Sequence, residues 1–138
     1  MSEIYKDSQT DEWYFNEKSY ILSETDARGL ILYANDIFCD IAGYTIDELI
    51  GQPHNIVRHP DMPRIAFQGL WDDIQSKGFW NGTVKNLRKD GAYYWVDATV
   101  IRKIAVNGEV TYLSIRRVPT RSVVESCISL YSDLKSKE

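Results

Sequence analysis

Gly51 to Pro63 reads Gly-Gln-Pro-His-Asn-Ile-Val-Arg-His-Pro-Asp-Met-Pro and constrains this chain more than any other stretch of it. Three proline rings fix φ and remove three backbone donors, so the segment has a shape before it has a partner. Around that shape sit both histidines of the chain (His54 and His59), Arg58, Asp61 and an amide. A permanent cation, two imidazoles and a carboxylate on a restrained backbone suit a polar rim for an anionic or heteroaromatic ligand. A solvated proline-rich connector would have the same composition, so the residues around the segment decide between the two.

At 138 residues the chain fits one domain. Its net charge of −4, from 16 basic and 20 acidic residues, argues against a nucleic-acid or anionic-membrane surface. Cys39 and Cys127 have no CxxC or metal spacing, which predicts a reducing, cytoplasmic setting. No run of about 18 apolar residues and no signal peptide is legible, so no membrane insertion is expected.

Residues 1–18 read as a short helical or irregular arm that docks through Trp13, Tyr14 and Phe15. Two short strands follow, Tyr20-Ile21-Leu22 and Leu30 to Tyr33, joined through Asp26-Ala27-Arg28-Gly29. Asn35 and Asp36 offer helix caps ahead of Phe38, Ile41 and Ala42, and Gly43 is a stop. Thr45 and Glu48 have capping-box spacing for a second short helix. After Pro63, the residues Phe67, Leu70, Trp71 and Ile74 recur at helical spacing up to Gly78. Strands are predicted over 80–88, 93–104 and 110–118, turning at Asp90-Gly91 and Asn107-Gly108. An amphipathic helix closes the chain over 122–137. The expected fold is α+β: a five-stranded antiparallel sheet with helices on one face. The expected divisions are an arm (1–18), a sensor domain (19–119) and a helical connector for signalling or dimerisation (120–138).

That order and these residues resemble a PAS domain, in particular the flavin-binding PAS domain of bacterial aerotaxis (energy-taxis) receptors. The matching runs include Tyr33 to Asp36, Gly43-Tyr44-Thr45, Glu48-Leu49, the whole of Gly51 to Pro63, Ala66-Phe67, Trp71, Trp80, Gly82, Val84-Lys85-Asn86, Tyr94-Trp95-Val96 and Ser114-Ile115-Arg116. The resemblance implies non-covalent FAD and a redox signal passed to a chemotaxis signalling domain, which residues 1–138 are not expected to contain.

A flavin needs a flat slot, hydrogen-bond partners for its pyrimidine edge and a cation for its pyrophosphate. The resemblance puts Asn86 at the pyrimidine edge, where a side-chain amide both donates and accepts; a strand residue facing water is the alternative. Trp80 offers a ring face, or is an ordinary core aromatic. Arg58 can fork onto a phosphate with His59 or His54 beside it, or form a surface ion pair with Asp61. Asp61 is expected to cap the next helix, or to orient Arg58 or a ribose hydroxyl. Asn35 is a helix cap, with a cofactor role suggested by its match to the family. Tyr94 and Trp95 must point to opposite faces, and Tyr94 is expected to line the pocket with Val96, Ala98 and Val100. Tyr112, Ser114 or Arg116 on the last strand is expected to reach the same region and to switch hydrogen bonds with Asn86 on reduction.

Other chemistries fit less well. Light-sensing PAS domains that form a flavin–cysteine adduct carry a Cys within the segment filled here by Asn55 to His59, and this chain has none there. Haem would have only His54 or His59. No nucleophile–base pair, phosphate-cradling Gly loop or metal spacing argues for an enzyme. Two classes remain: an FAD redox sensor acting on a chemoreceptor-like protein or output domain, and a cofactor-free PAS module that dimerises or docks. A homodimer through the flanking segments is the expected assembly.

Overall fold

The computed structural model describes residues 4–138, and among these seven strands and four α-helices form. Strands β1 (Ile4–Lys6) and β2 (Glu12–Phe15) make an antiparallel hairpin. Strands β3 (Ile21–Asp26) and β4 (Ile31–Ala34) are joined where the Asp26 carboxylate accepts from the amides of Arg28 (2.8 Å) and Leu30 (3.0 Å), while Gly29 takes a φ of 85°. Asn35 then caps α1 (Asp36–Ala42), and Thr45 with Glu48 closes a capping box on α2 (Ile46–Leu49). A 3₁₀ turn, His54–Val57, carries the chain to α3 (Arg64–Lys77), which runs from Pro63 to Gly78 as its sequence brackets predict. Strands β5 (Phe79–Leu87), β6 (Tyr93–Ile104) and β7 (Val110–Arg117) and the helix α4 (Arg121–Ser136) complete the chain.

The central sheet has the order β5-β6-β7-β3-β4, antiparallel throughout. Helices α1 to α3 cover one face. Ile21, Ile31, Phe38, Ile41, Leu49, Val57 and Val96 are each at most 2% exposed in the core between them. Burying side chains of this size contributes about 1.5–3 kcal/mol apiece. Because successive residues of a strand face opposite ways, Thr83 and Trp95 look out from the other face. There α4 packs: Trp95 stacks on Tyr131 with centroids 6.2 Å apart, and the Tyr131 hydroxyl donates to the Thr83 carbonyl at 2.7 Å. Helices therefore cover both faces, with α4 closing the side that the sequence left open.

The arm departs most from expectation. It is a β-hairpin, not a helical or irregular segment, and it brings the sheet to seven strands. Strand β7 pairs with β6 only from Asp97 onward, and β2 takes up the vacant edge in parallel register, Glu12 opposite Tyr93 and Trp13 opposite Tyr94. Phe15 is 3% exposed in the core, the Arg88 guanidinium sits 3.9 Å from the Trp13 ring, and Arg121 of α4 donates to both oxygens of Glu12 at 3.1 Å. The aromatic knot thus packs into this chain's own fold. Trp13→Ala is expected to lower the unfolding free energy by about 2–3 kcal/mol, less than for a fully buried Trp. An unchanged urea midpoint would show that the hairpin is not part of the cooperative unit.

Candidate functional site

A cavity of about 270 Å³ opens between the inner face of the sheet and α3. Its floor is Val84 and Asn86 of β5, Val96, Ala98 and Val100 of β6, and Tyr112, Ser114 and Arg116 of β7. Phe67, Leu70, Trp71 and Ile74 form the α3 wall, and Arg28, Gly29, His54, Asn55 and Arg58 the rim. The rim meets the sheet because Pro53 bridges Leu30 and the backbone of Arg58 bridges Asn86. Three arginines line the cavity and no carboxylate does, although Arg28 is paired outside the lining with Asp26 at 3.0 Å, which leaves Arg58 and Arg116 without a carboxylate among the described residues. The interior therefore favours an anionic ligand with an apolar, flat body.

Trp80 lies along the strand over Gly82, where a Cβ would stand 2.3 Å from the indole. Glycine is needed there for space, and the indole becomes a wall. Arg58 is exposed and rests over the Phe67 ring at 3.5 Å, with no carboxylate partner among the described residues; desolvation lowers its pKa. Asn86 is 5% exposed. Its amide lies beside the Tyr94 hydroxyl, yet that hydroxyl has no hydrogen-bond partner among the described residues. Burial pushes the Tyr94 phenol up to about 12.

At the inner end, Arg116 is 2% exposed and pairs with no carboxylate among the described residues. Its Nη2 donates to Ser23 Oγ at 2.7 Å, its Nη1 meets His54 Nε2 at 3.1 Å, and its guanidinium lies 4.3 Å from the Phe38 ring centroid. A guanidinium only donates, so His54 Nε2 accepts and the ring carries its proton on Nδ1. Ser23 Oγ is 3.0 Å from the same Nε2 and donates to it. Burial, then the Arg116 charge, lower the His54 pKa to about 3.

Of the residues singled out in the sequence, His54, Arg58, Trp80, Asn86, Tyr112 and Arg116 meet at this cavity, and four do not. Asn35 is consumed as a cap: its Oδ1 accepts from Leu22 and Phe38 and its Nδ2 donates to the Tyr20 carbonyl. His59 Nδ1 accepts from the Asp61 amide, and its ring sits edge-on to Tyr93. Asp61 neither caps α3 nor meets Arg58; it pairs with Lys85 at 2.9 Å, which holds its carboxyl below the usual range. Arg58 is opposite Asn86, so the next residue falls on the other side of the pleat, beside Lys85 and Tyr93. Tyr94 shares a face with Val96 and Ala98 but lies in the core beyond the cavity's end. Sequence reading missed Arg28 and Thr25, which meet the rest of the lining through the long-range pairing of the β3–β4 turn and the start of β4 with the proline segment. It also missed the α3 wall, although the spacing of Phe67, Leu70, Trp71 and Ile74 marks the inward face of that helix.

A five-stranded antiparallel sheet with short helices over one face and a cavity between them defines a small α+β module of one recognisable class. A family model described as the PAS fold matches residues 31–116, and the chain belongs to the PAS family. The chain is 41% identical over 116 residues to the aerotaxis receptor of Escherichia coli (strain K12), a match covering 84% of this chain and 23% of that protein. It thus spans about a quarter of the length of that relative. Among solved structures, the PAS domain of a protein from Colwellia psychrerythraea aligns with a TM-score of 0.67 at 26% identity, covering 74% of this chain and 87% of that one. A light-oxygen-voltage domain described through a flavin analogue aligns with a TM-score of 0.67 at 18% identity, covering 83% and 86% of the two chains, and speaks for the fold alone. Among the described residues no helix is long and apolar enough to cross a membrane.

Two outcomes are expected. Gly82→Ala should displace the Trp80 indole, change the near-UV circular dichroism and cost about 1–3 kcal/mol of stability; an unchanged spectrum would show the indole is not held there. A buried His54 with a lowered pKa binds fewer protons folded than unfolded. Its stabilising share is therefore present above the ordinary histidine range and lost as pH falls toward 3. Between pH 7 and pH 4 the loss is about 3 kcal/mol. The urea midpoint of the wild type should fall further over that interval than that of His54→Gln, and parallel falls would refute the assignment.

Proposed function

We propose that the cavity holds the ring of FAD and that the domain senses redox state for a chemotaxis-type signalling partner. The observation that carries this reading is the lining itself: a flat Trp80 wall, the Asn86 amide, three arginines and no carboxylate. When bound, FAD supplies a ring that takes up electrons and changes charge and hydrogen bonding as it does so. Asn86 holds the pyrimidine edge through its amide. Trp80 and the α3 wall exclude water from the ring faces. Arg58, preset over Phe67, would hold the pyrophosphate at the mouth, with Arg28 on the same rim. Tyr112 and Arg116 face the ring from β7. His59 and Asp61 stand outside the lining, and Asn35 and Tyr94 serve the fold.

The role is sensory, not catalytic, and cytoplasmic, where a chemoreceptor-like protein or an output domain would receive the signal. Likeness to the aerotaxis receptor supports that partner class. Val123, Ile128 and Leu130 of α4 are exposed and offer a surface for it, or for a second copy in a homodimer.

Purified protein should be yellow, with oxidised-flavin absorption, and should release FAD on denaturation. Arg58→Ala and Asn86→Ala should each raise the Kd for FAD roughly ten- to hundredfold, the loss of about 1.5–3 kcal/mol expected when a charged or multi-bond contact is removed. Colourless protein that takes up neither FAD nor FMN would favour the cofactor-free docking module instead.

A further inference from the structure

We infer that α4 is a strap whose Glu138 carboxylate serves as the N-terminal cap of α3, so that seating α4 on the outer face of the sheet holds the first turn of a helix on the inner face. The first amides of a helix have no partner within it, and a side chain just before the helix ordinarily meets them. Asn35 does this for α1 and Thr45 for α2. Pro63 stands at the same position of α3, has no side-chain oxygen and makes no such bond. The missing acceptor comes from the far end of the sequence. Glu138 Oε2 accepts from the Arg64 amide at 2.7 Å, and Glu138 Oε1 accepts from Arg64 Nε at 3.1 Å. Lys135 of α4 lies 3.4 Å from the same Oε1. A carboxylate at this place also faces the positive end of the α3 dipole. The Arg64 amide, ahead of the Arg64 guanidinium and Lys135, holds the Glu138 carboxyl below its usual range. Arg64 is exposed, so its ion pair adds little and the amide contact carries the geometry.

The reach of Glu138 depends on how α4 is seated. Arg121 in its first turn donates to both oxygens of Glu12, Val124 is buried, and Tyr131 stacks on Trp95 and donates to the Thr83 carbonyl. A helix of 16 residues is a rod about 24 Å long, so a shift at its seat carries Glu138 with it. The turn that Glu138 caps includes Phe67, on which the Arg58 guanidinium rests at 3.5 Å. With α4 seated, α3 begins on a capped turn. With α4 lifted, the Arg64 amide loses its acceptor and that turn frays. The coupling is reciprocal: whatever firms the first turn of α3 also holds α4 down. The strap works the same way whichever ligand the cavity takes.

The test is amide hydrogen exchange of the full chain, read residue by residue by NMR. Arg64 and Ala66 both have hydrogen-bonded amides when α4 is seated. In Glu138→Ala their exchange should quicken roughly three- to thirtyfold, the range that losing a helix cap spans, while Leu70 to Ile74 keep their wild-type rates. Glu138→Gln keeps a side-chain carbonyl that can accept, and should stay nearer the wild type. Tyr131→Phe touches neither Glu138 nor α3 and removes only the bond to Thr83. It should quicken the same two amides by a smaller factor, and should add nothing at them once Glu138 is alanine. Unchanged rates at Arg64 and Ala66 in Glu138→Ala overturn the cap. Faster exchange in Glu138→Ala that Tyr131→Phe does not reproduce overturns the strap. A rise spread evenly over α3 and the sheet is loosening of the whole fold, and overturns both.

Discussion

The backbone ladder of β6 is the constraint on which the rest of the molecule depends. Its residues pair with β5 along one edge, and with β7 and then β2 along the other. Period-two alternation on this one strand creates the two sides of the protein. Val96, Ala98 and Val100 make the cavity floor, and Trp95, one residue before Val96 and on the opposite face, makes the seat for α4. A slip of one residue would exchange these faces and abolish cavity and helix seat together.

The register of β7 has the same reach. Pairing Arg116 with Ala98 on one side and Ile21 on the other sets a long cationic side chain beside two small neighbours, Ser23 and Ala98. His54 arrives from the opposite direction, on a turn tied to the β3–β4 turn by the amide of His54 donating to the carbonyl of Gly29 at 3.0 Å. The polar end of the cavity is thus assembled from β3, β7 and the proline segment, and only the sheet register brings them together.

What could be read in advance follows from locality. Asn35, Thr45 with Glu48, Pro63 and Gly78 act on their own turn of helix, and Asn107-Gly108 on its own hairpin, so all were visible in the chain. The N-terminal hairpin was not: its strands are three and four residues long, and the edge they fill exists only because β7 stops pairing with β6 at Asp97. The site divides in the same way. His54 and Arg58 were legible as members of a restrained polar segment, and their neighbours His59 and Asp61 looked equivalent in sequence. The bridge from Arg58 to Asn86 separates them, since it assigns alternate residues to opposite sides of a pleat. Arg28 and Thr25 carried no signal, because nothing near them in the chain announces that β4 will meet Pro53.

Three arginines around one cavity, one of them buried and uncompensated, also bear on the life of the polypeptide in a cell. Whatever anion lodges there binds the native chain and not the unfolded one, so it shifts the folding equilibrium by mass action. Chains lacking it open more often and meet proteases more often, and a difference of one or two kcal/mol is enough to change steady-state abundance several-fold. With the proposed cofactor as that anion, the amount of this protein would follow the supply of its ligand.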